Sequence, residues 1–309
     1  MIKLEKEQTA RFAARLEQET QESVMRDIAQ FSEADIVDTW ASEPPACAEV
    51  HAMVFNMERG VHIDEAIEFL KDNPSLQPFD LILANATPAL QAAVEATDTI
   101  PILGTSVTEY GVALGIDSFT GTVGGNVSGT SDLAPLDQQA AMLLELFPDA
   151  KKVGILYCSA EPNSVYQSDV VKAELEKSGV TVSVYTFTDS NDVAAVTATA
   201  CDENDVLYIP TDNTAASCTE AINNVAEPAG VPIIAGEEGI CAGCGVATLS
   251  INYYDLGVTT GKMAAKILTG EANISEMPIE YFPDPVKKYN PAICEALGIT
   301  VPEDYVAIG

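Results

Sequence analysis

The stretch Leu81-Ile-Leu-Ala-Asn-Ala-Thr-Pro88 decides the fold class, because a short apolar run stops there at small hydrogen-bonding residues. The same transition recurs along the chain, where apolar runs end before Gly104-Thr-Ser106, Cys158-Ser-Ala-Glu-Pro-Asn-Ser164, Thr211-Asp-Asn213 and Gly236-Glu-Glu238. Short apolar runs separated by helix-length stretches are typical of parallel β-strands that are covered on both faces. The sequence therefore predicts an α/β protein with parallel sheets.

The residues that follow these runs indicate a ligand-binding edge. Ligands of open parallel sheets bind beyond the carboxyl ends of the strands. In this chain those ends carry hydroxyls, amides and acids. We therefore expect the protein to hold a small polar molecule.

The placement of charge narrows the class of ligand. The 309 residues include 47 acidic and 15 basic ones, for a formal net charge of −32. Nucleic acid is disfavoured as a partner, because a phosphate backbone requires a basic surface. No Lys or Arg lies between Lys71 and Lys151 or between Lys177 and Lys262, and these gaps contain nearly every predicted strand end. Since phosphates and dicarboxylates are usually held by Arg or Lys, we expect a zwitterion or an uncharged polar ligand.

The cysteines and the N-terminal segment point to neither a cofactor nor an export signal. Cys241-Ala-Gly-Cys244 has the spacing of half a zinc site without a second half, so we expect no metal and no other cofactor. A local disulfide and a pair of buried thiols are both open for these two cysteines. Residues 1–23 are predicted to form an exposed amphipathic helix in place of a secretory signal.

Polar segments interrupt the alternation of strands and helices at three places. We interpret residues 121–132, 247–255 and 283–289 as crossings between two lobes. The predicted fold class is α/β, with two Rossmann-like lobes whose parallel sheets are joined by a three-crossing hinge. After an N-terminal extension of residues 1–23, the predicted N-terminal lobe comprises 24–128 and 252–285, and the predicted C-terminal lobe comprises 129–251 and 286–309.

Six blocks of sequence over most of the chain resemble a known family. They are Asn85-Ala-Thr-Pro-Ala-Leu-Gln91, Ile102-Leu-Gly-Thr-Ser-Val-Thr108, Asn126-Val-Ser-Gly-Thr-Ser-Asp-Leu-Ala-Pro135, Gly154-Ile-Leu-Tyr-Cys-Ser-Ala-Glu-Pro-Asn-Ser-Val165, Tyr208-Ile-Pro-Thr-Asp-Asn-Thr-Ala215 and Gly236-Glu-Glu-Gly-Ile-Cys241. In this order they resemble the tryptophan/tyrosine-type substrate-binding proteins of ABC transporters, which have the type I periplasmic-binding-protein fold. Residues 1–79 fit the family poorly.

The resemblance implies a binding function without chemistry on the ligand. It implies two lobes that close on a solute in the cleft between them, as the binding component of an ABC importer, and deliver it to a permease driven by an ATPase. The known ligands of the family are aromatic amino acids, which agrees with the zwitterion expected from charge placement. We expect an extracytoplasmic, membrane-associated monomer at the cell surface or in the periplasm, although no signal peptide is present in the sequence.

The candidate ligand contacts come from the strand ends and from nearby aromatic residues. The predicted set is Thr87, Ser106, Asn163, Ser164, Tyr166, Asp212, Asn213, Glu238 and Tyr253. Its hydroxyls would bind the ligand carboxylate, its amides would add hydrogen bonds, and its tyrosines would stack on an aromatic side chain. Asp212 is the predicted partner of the ammonium group, so Asp212→Ala should weaken binding with little change in melting temperature. For each residue the alternative is a helix cap, a turn or packing in the core.

Two other functions fit parts of the sequence. A cytoplasmic ligand-sensing module on the same fold would account for the missing export signal. A cofactor-free thiol enzyme could use Cys158, which follows a predicted strand where a helix dipole could activate a thiolate. That enzyme requires a facing thiol in the other lobe, and residues 80–110 contain no cysteine. We therefore expect a binding protein rather than an enzyme.

Overall fold

The computed structural model describes residues 80–282 and 284–308, together with the backbone of one further strand, Ala52–Asn56. The chain divides into two compact units. The first contains the described residues up to Asp132 and the segment Asn252–Phe282, and the second contains Leu133–Ile251 and the residues after Phe282. The predicted helix of residues 1–23 lies outside the described residues. In the part of the chain that the structure covers, no helix has the length and apolar character needed to cross a membrane.

The first unit is built on a parallel sheet. Its strands lie side by side in the order β1 (Ala52–Asn56), β2 (Leu81–Asn85), β3 (Ile102–Val107), β4 (Val127–Ser131) and β10 (Glu280–Tyr281). The helices described in this unit are α1 (Thr87–Ala96), α2 (Tyr110–Leu114) and α9 (Tyr253–Leu268), with a short 3-10 helix at Ile274–Glu276. Every neighbouring pair of strands is parallel, as the sequence predicted.

Strand β2 shows why this sheet is covered on both faces. Ile82 and Ala84 point to one side, where they pack in a cluster with Leu90 of α1. Leu81 and Leu83 point to the other side and pack with Met263 of α9. Since successive side chains of a strand alternate between faces, a continuous apolar run is what a strand between two helical layers requires.

The second unit has a larger, mostly parallel sheet. Its strands are β5 (Lys152–Cys158), β6 (Thr181–Phe187), β7 (Val206–Ile209), β8 (Ile233–Ala235), β9 (Ala247–Ser250), β11 (Val286–Tyr289) and β12 (Val306–Ala307). Their order is β12-β11-β9-β8-β7-β5-β6, and only the pair of β9 and β11 is antiparallel among these strands. Its described helices are α3 (Leu136–Leu146), α4 (Pro162–Lys177), α5 (Val193–Glu203), α6 (Asn213–Ser217), α7 (Thr219–Ala229), α8 (Glu238–Cys244) and α10 (Pro291–Leu297).

Strand β5 repeats the two-faced pattern in the second unit. Val153 and Ile155 belong to one buried cluster, together with side chains of α3 and α4. Leu156 and Cys158 belong to another, together with side chains of α5 and α7. The prediction of two α/β lobes with parallel sheets is confirmed.

The paired cysteines of α8 are buried thiols. Cys241 and Cys244 are both reduced and inaccessible to solvent. The thiol of Cys244 donates to the carbonyl of Ile240 over 3.4 Å, and burial raises the pKa of both thiols. Among the described residues, no group of three or more His, Cys, Asp or Glu side chains is placed to hold a metal ion.

Candidate functional site

The carboxyl ends of β2, β3 and β4 lie side by side at one edge of the first sheet. Ala86 follows β2 and donates its N–H to the carbonyl of Thr105 in β3 over 2.9 Å. Asp132 follows β4 and donates its N–H to the carbonyl of Val107 in β3 over 3.2 Å. The residues that these strand ends bring together, which we call the first-unit cluster, are Ala86, Thr87, Ser106 and Asp132.

The backbone of the first-unit cluster is strained at two neighbouring strand ends. Ala86 has φ 79° and ψ 159°, a region that is essentially restricted to glycine and that costs about 1–3 kcal/mol for other residues. Ser106 has φ 53° and lies where the register of β3 against β4 shifts, between Gly104 and Val107. Such strain and such bulges concentrate next to binding and active sites, where they re-aim side chains.

Two features of this edge suit an anionic group. Helix α1 begins without a side-chain cap, because alanine occupies the N-cap position, and its first backbone N–H groups carry the positive end of the helix dipole. Thr87 is the first residue of α1 and is buried. The hydroxyl oxygen of Ser106 is also buried, and no described residue hydrogen-bonds to it.

Asp132 supplies the opposite charge at the same edge. The residue is 4 % exposed. Its Oδ2 accepts a hydrogen bond from the hydroxyl of Tyr253 over 3.2 Å, and its buried Oδ1 has no hydrogen-bond partner among the described residues. Burial raises the pKa of Asp132 from 3.8 to about 6, against the opposing effect of the Thr108 and Tyr253 hydroxyls. A buried carboxylate oxygen without a donor is costly and is suited to receive a cationic group.

Sequence reasoning gave Asp132 no role at the site. The sequence interpretation treats residues 121–132 as a glycine-rich crossing, and the glycines of this segment obscure the strand β4 within it. A signal was nevertheless present, because Asp132 follows β4 just as Asp212 lies beyond β7.

The carboxyl ends of β5 and β7 bring together four predicted contacts in the second unit, Asn163, Ser164, Asp212 and Asn213. Asp212 is 1 % exposed. Its Oδ2 accepts from Ser164 Oγ over 2.7 Å and from the N–H of Cys158 over 2.8 Å. Its Oδ1 accepts from the N–H of Ala215 over 2.7 Å, which caps α6. Both carboxylate oxygens of Asp212 are therefore engaged within their own unit.

Glu161 is a second buried acid in this region. It is 6 % exposed and accepts from the backbone N–H groups of Asn213 and Thr214 over 2.9 and 2.8 Å. The side chains of the same two residues donate to it over 2.8 and 2.7 Å. Burial, and after it the charge of Glu161, raises the pKa of Asp212 to about 7. Sequence reasoning missed Glu161, because its partners lie 52 and 53 residues further along the chain.

Asn163 and Gln167 of α4 hold the loop that follows β7. Asn163 Nδ2 donates to the carbonyl of Thr211 over 3.1 Å, and its buried Oδ1 has no hydrogen-bond partner among the described residues. Gln167 donates to the same carbonyl over 3.0 Å and accepts from the N–H of Thr211 over 3.1 Å. The loop between Thr211 and Thr214 is thus fixed by α4 and by Glu161.

Two further predicted contacts, Glu238 and Tyr166, make other contacts within the second unit. Glu238 forms an ion pair with Lys288 of β11, while its neighbour Glu237 caps α8 through the N–H groups of Gly239 and Ile240. Tyr166 is partly buried and packs against the core of the second unit. The sequence-based assignment of Glu238 and Tyr166 to the ligand stays a prediction.

Tyr110 is a core residue of the first unit. Its side chain is fully buried and its hydroxyl donates to the carbonyl of Thr130 over 3.0 Å. A Cβ atom at Gly104 or Gly129 would collide with that hydroxyl, so the two glycines make room for the ring.

Cys158 lacks the properties of an activated nucleophile. The residue is buried, its Sγ contacts the carbonyl of Thr188 at 3.6 Å, and burial raises the pKa of the thiol. A reactive cysteine requires a lowered pKa. The geometry therefore does not favour the thiol-enzyme alternative.

Comparison with protein families gives a match over most of the chain. Residues 69–308 match the family model described as "ABC transporter substrate binding protein". The chain is also 36 % identical over 200 residues to a tyrosine-binding protein of Clostridioides difficile strain R20291, covering 65 % of this chain and 57 % of that protein. The chain thus spans less than two thirds of the length of this relative.

Comparison with solved structures gives matches of the same kind. An ABC domain from Streptococcus pneumoniae in complex with L-Trp superposes with a TM-score of 0.73 at 30 % identity, over 79 % of this chain and 86 % of the other. A ligand-free, open substrate-binding protein with adhesive properties from Clostridium difficile superposes with a TM-score of 0.59 at 37 % identity, over 80 % and 82 % of the two chains.

Proposed function

The chain belongs to the family of ABC transporter substrate-binding proteins, and we propose that its ligand is an aromatic α-amino acid. The resemblance noted from the six sequence blocks is confirmed, as is the type I periplasmic-binding-protein fold. The protein is accordingly a substrate-binding component for ABC transport.

The ligand proposal depends on one observation: the first-unit cluster contains both a group that favours an anion and a group that favours a cation. The uncapped start of α1 suits a carboxylate, and the partly satisfied Asp132 suits an ammonium group. A tyrosine-binding relative and a tryptophan complex of a structural neighbour support an aromatic side chain.

We include the remaining sequence-predicted contacts in this proposal. Thr87 and Ser106 would bind the carboxylate from the first unit, and Tyr253 would lie beside the ligand. In the second unit the loop after β7, with Asn163, Ser164, Asp212 and Asn213, would supply further contacts. The position of the ligand in a cleft between the lobes stays a prediction.

Calorimetric titration of the purified protein with tyrosine, tryptophan and phenylalanine tests the ligand proposal. We expect micromolar affinity for at least one of them, equivalent to about 8 kcal/mol, and no heat with a sugar of similar size. The absence of heat from all three amino acids at millimolar concentration would rule the proposal out.

The partners of the proposed function are a permease and an ATPase of an ABC importer, with the protein acting as an extracytoplasmic monomer that leaves its ligand unchanged. Family membership supports the permease. Import would be tested by the uptake of labelled tyrosine in cells with and without this chain. Recovery of chemically altered ligand after long incubation would contradict a pure binding role.

A further inference from the structure

We propose that Asp132 is the residue that binds the α-ammonium group of the ligand, while the first turn of α1 and the hydroxyl of Ser106 bind its carboxylate. The first unit would then recognise the backbone of an α-amino acid by itself. This inference rests on the proposed function, because it takes the ligand to be an amino acid. It differs from the sequence-based assignment, which gave the ammonium group to Asp212.

The two buried acids differ in how many hydrogen bonds they already accept. Asp212 accepts from Ser164, from Cys158 and from Ala215, so neither of its oxygens lacks a donor. Asp132 accepts from Tyr253 on Oδ2, and its Oδ1 has no hydrogen-bond partner among the described residues. An ionised carboxylate has about four acceptor positions, and an ammonium group brings three donors. Asp132 therefore has the open capacity that an ammonium group would fill.

Charge balance leads to the same assignment. No Lys or Arg of the described chain forms an ion pair with Asp132. A buried carboxylate without a cationic partner is unfavourable unless a ligand provides one. Tyr253 orients the side chain through Oδ2 and leaves Oδ1 as the atom that would receive the ammonium group.

The spacing of the strands sets the orientation of the ligand. β3 lies between β2 and β4 in the sheet, and neighbouring strands are about 4.8 Å apart. The start of α1, beyond β2, and Asp132, beyond β4, are thus separated by about 10 Å along the edge of the sheet. Two hydrogen bonds of about 2.8 Å each leave room between them for a carboxylate and an ammonium group carried on one carbon. The bulged Ser106 lies in the middle of this span.

Affinities for paired ligands test the assignment. Tyrosine would be compared with 3-(4-hydroxyphenyl)propanoic acid, which lacks only the ammonium group, in the wild type and in Asp132→Asn. We expect Asp132→Asn to weaken tyrosine binding about 10- to 100-fold, as loss of a charge-assisted hydrogen bond does. The affinity for the deaminated acid should change less than about threefold. If tryptophan is the better ligand, the same comparison would use tryptophan and indole-3-propanoic acid, which lacks only the ammonium group.

Two further variants separate this inference from its rivals. Asp98→Asn makes the same change of charge at an exposed position of the first unit and should leave both affinities unchanged. Asp212→Asn should weaken both ligands by a similar factor, because it would disturb the loop after β7 without removing the ammonium partner. A selective loss of tyrosine binding in Asp212→Asn, with Asp132→Asn unaffected, would overturn the inference in favour of Asp212.

The outcomes also separate this inference from the proposed function. If the wild type binds tyrosine and Asp132→Asn binds it equally well, the inference fails and the proposed function stands. If the wild type binds no aromatic amino acid, both fail. Should Asp132→Asn not fold, Tyr253→Phe leaves the carboxylate in place but removes its hydroxyl partner. We expect that variant to weaken tyrosine more than the deaminated acid, and equal effects on the two ligands would overturn the inference.

Discussion

The hydroxyl of Tyr253 donates a hydrogen bond to Oδ2 of Asp132 over 3.2 Å, although the two residues lie 121 positions apart in the sequence. The contact joins the start of α9 to the end of β4 within the first unit. It holds one oxygen of a buried carboxylate, while the other oxygen, Oδ1, has no donor in the part of the chain that the structure describes. Asp132 therefore has one carboxylate oxygen that could accept a hydrogen bond from a ligand.

Ligand affinity should fall in mild acid because of Asp132. Its pKa is raised to about 6, so the side chain loses its negative charge as the pH falls below that value, while the ammonium group of the ligand stays charged. Tyr110 also interacts with the charge of Asp132, and burial raises the pKa of Tyr110 well above its usual value, so this tyrosine stays neutral over the range. Calorimetry at pH 7.5 and pH 5 should show weaker tyrosine binding at the lower pH. A similar loss in Asp132→Asn would show that another group is responsible.

Replacing Ala86 by glycine should stabilise the protein. Glycine adopts the φ and ψ of Ala86 without strain, and relief of about 1–3 kcal/mol exceeds the usual cost of glycine, about 0.5–1 kcal/mol. We expect a net gain of about 1 kcal/mol in the free energy of unfolding, measured by urea denaturation. Ala89→Gly, inside α1, is the matched control and should destabilise by about 1 kcal/mol. Equal destabilisation by both substitutions would show that Ala86 is unstrained.

Replacing Glu161 by glutamine should loosen the loop after β7. The carboxylate accepts four hydrogen bonds from Asn213 and Thr214, and the amide of glutamine would place a donor against some of those donors. We expect the free energy of unfolding to fall by about 1–3 kcal/mol. The amides of Asn213 and Thr214 should exchange faster with deuterium.

Glu174→Gln is the control for that experiment. Glu174 forms an exposed ion pair with Lys177, and its loss should change stability by less than about 1 kcal/mol. If Glu161→Gln is equally mild and leaves exchange at Asn213 unchanged, Glu161 does not order this loop.

Asp212 should make stability depend on pH. Its pKa is raised from 3.8 to about 7 in the folded protein, so between these values the folded state binds more protons than the unfolded state. Protonated Asp212 therefore stabilises the folded state relative to ionised Asp212. This stabilisation is fully present below pH 4 and is lost as the pH rises towards 7. Relative to Asp212→Asn, the wild type should be more stable at pH 5 than at pH 8 by at least about 1 kcal/mol. A difference that does not vary with pH would contradict the raised pKa.

The geometry of Asp212 also changes the expectation for Asp212→Ala. Three hydrogen bonds converge on the side chain, so its removal should lower the melting temperature of the free protein. The sequence alone indicated little change, because it treated Asp212 as a group that faces only the ligand.

The fold could be predicted because its signal is local. The apolar run of β2 and the small polar residues after it predict a buried strand that ends at Asn85. The roles of single polar residues could not be predicted in the same way, because they depend on tertiary contacts. Glu161 is defined by donors 52 and 53 residues away. Tyr110 can lie in the core because Gly104 and Gly129, which lie in β3 and β4, leave space for its side chain.

Asp132 and Asp212 show most clearly that the role of a polar residue depends on tertiary contacts. Both residues follow buried strands, and the sequence does not indicate which carboxylate can accept further hydrogen bonds. At Asp212 the N-cap of α6 and the side chain of Ser164 occupy the two carboxylate oxygens, whereas Oδ1 of Asp132 has no donor among the described residues.

A crystal structure of the protein with a bound aromatic amino acid would show which acid binds the ammonium group. We expect the ligand nitrogen to lie about 3 Å from Oδ1 of Asp132 and the ligand carboxylate to face the first turn of α1. A ligand whose ammonium group is bound by Asp212, or by any group outside the first unit, would contradict this expectation.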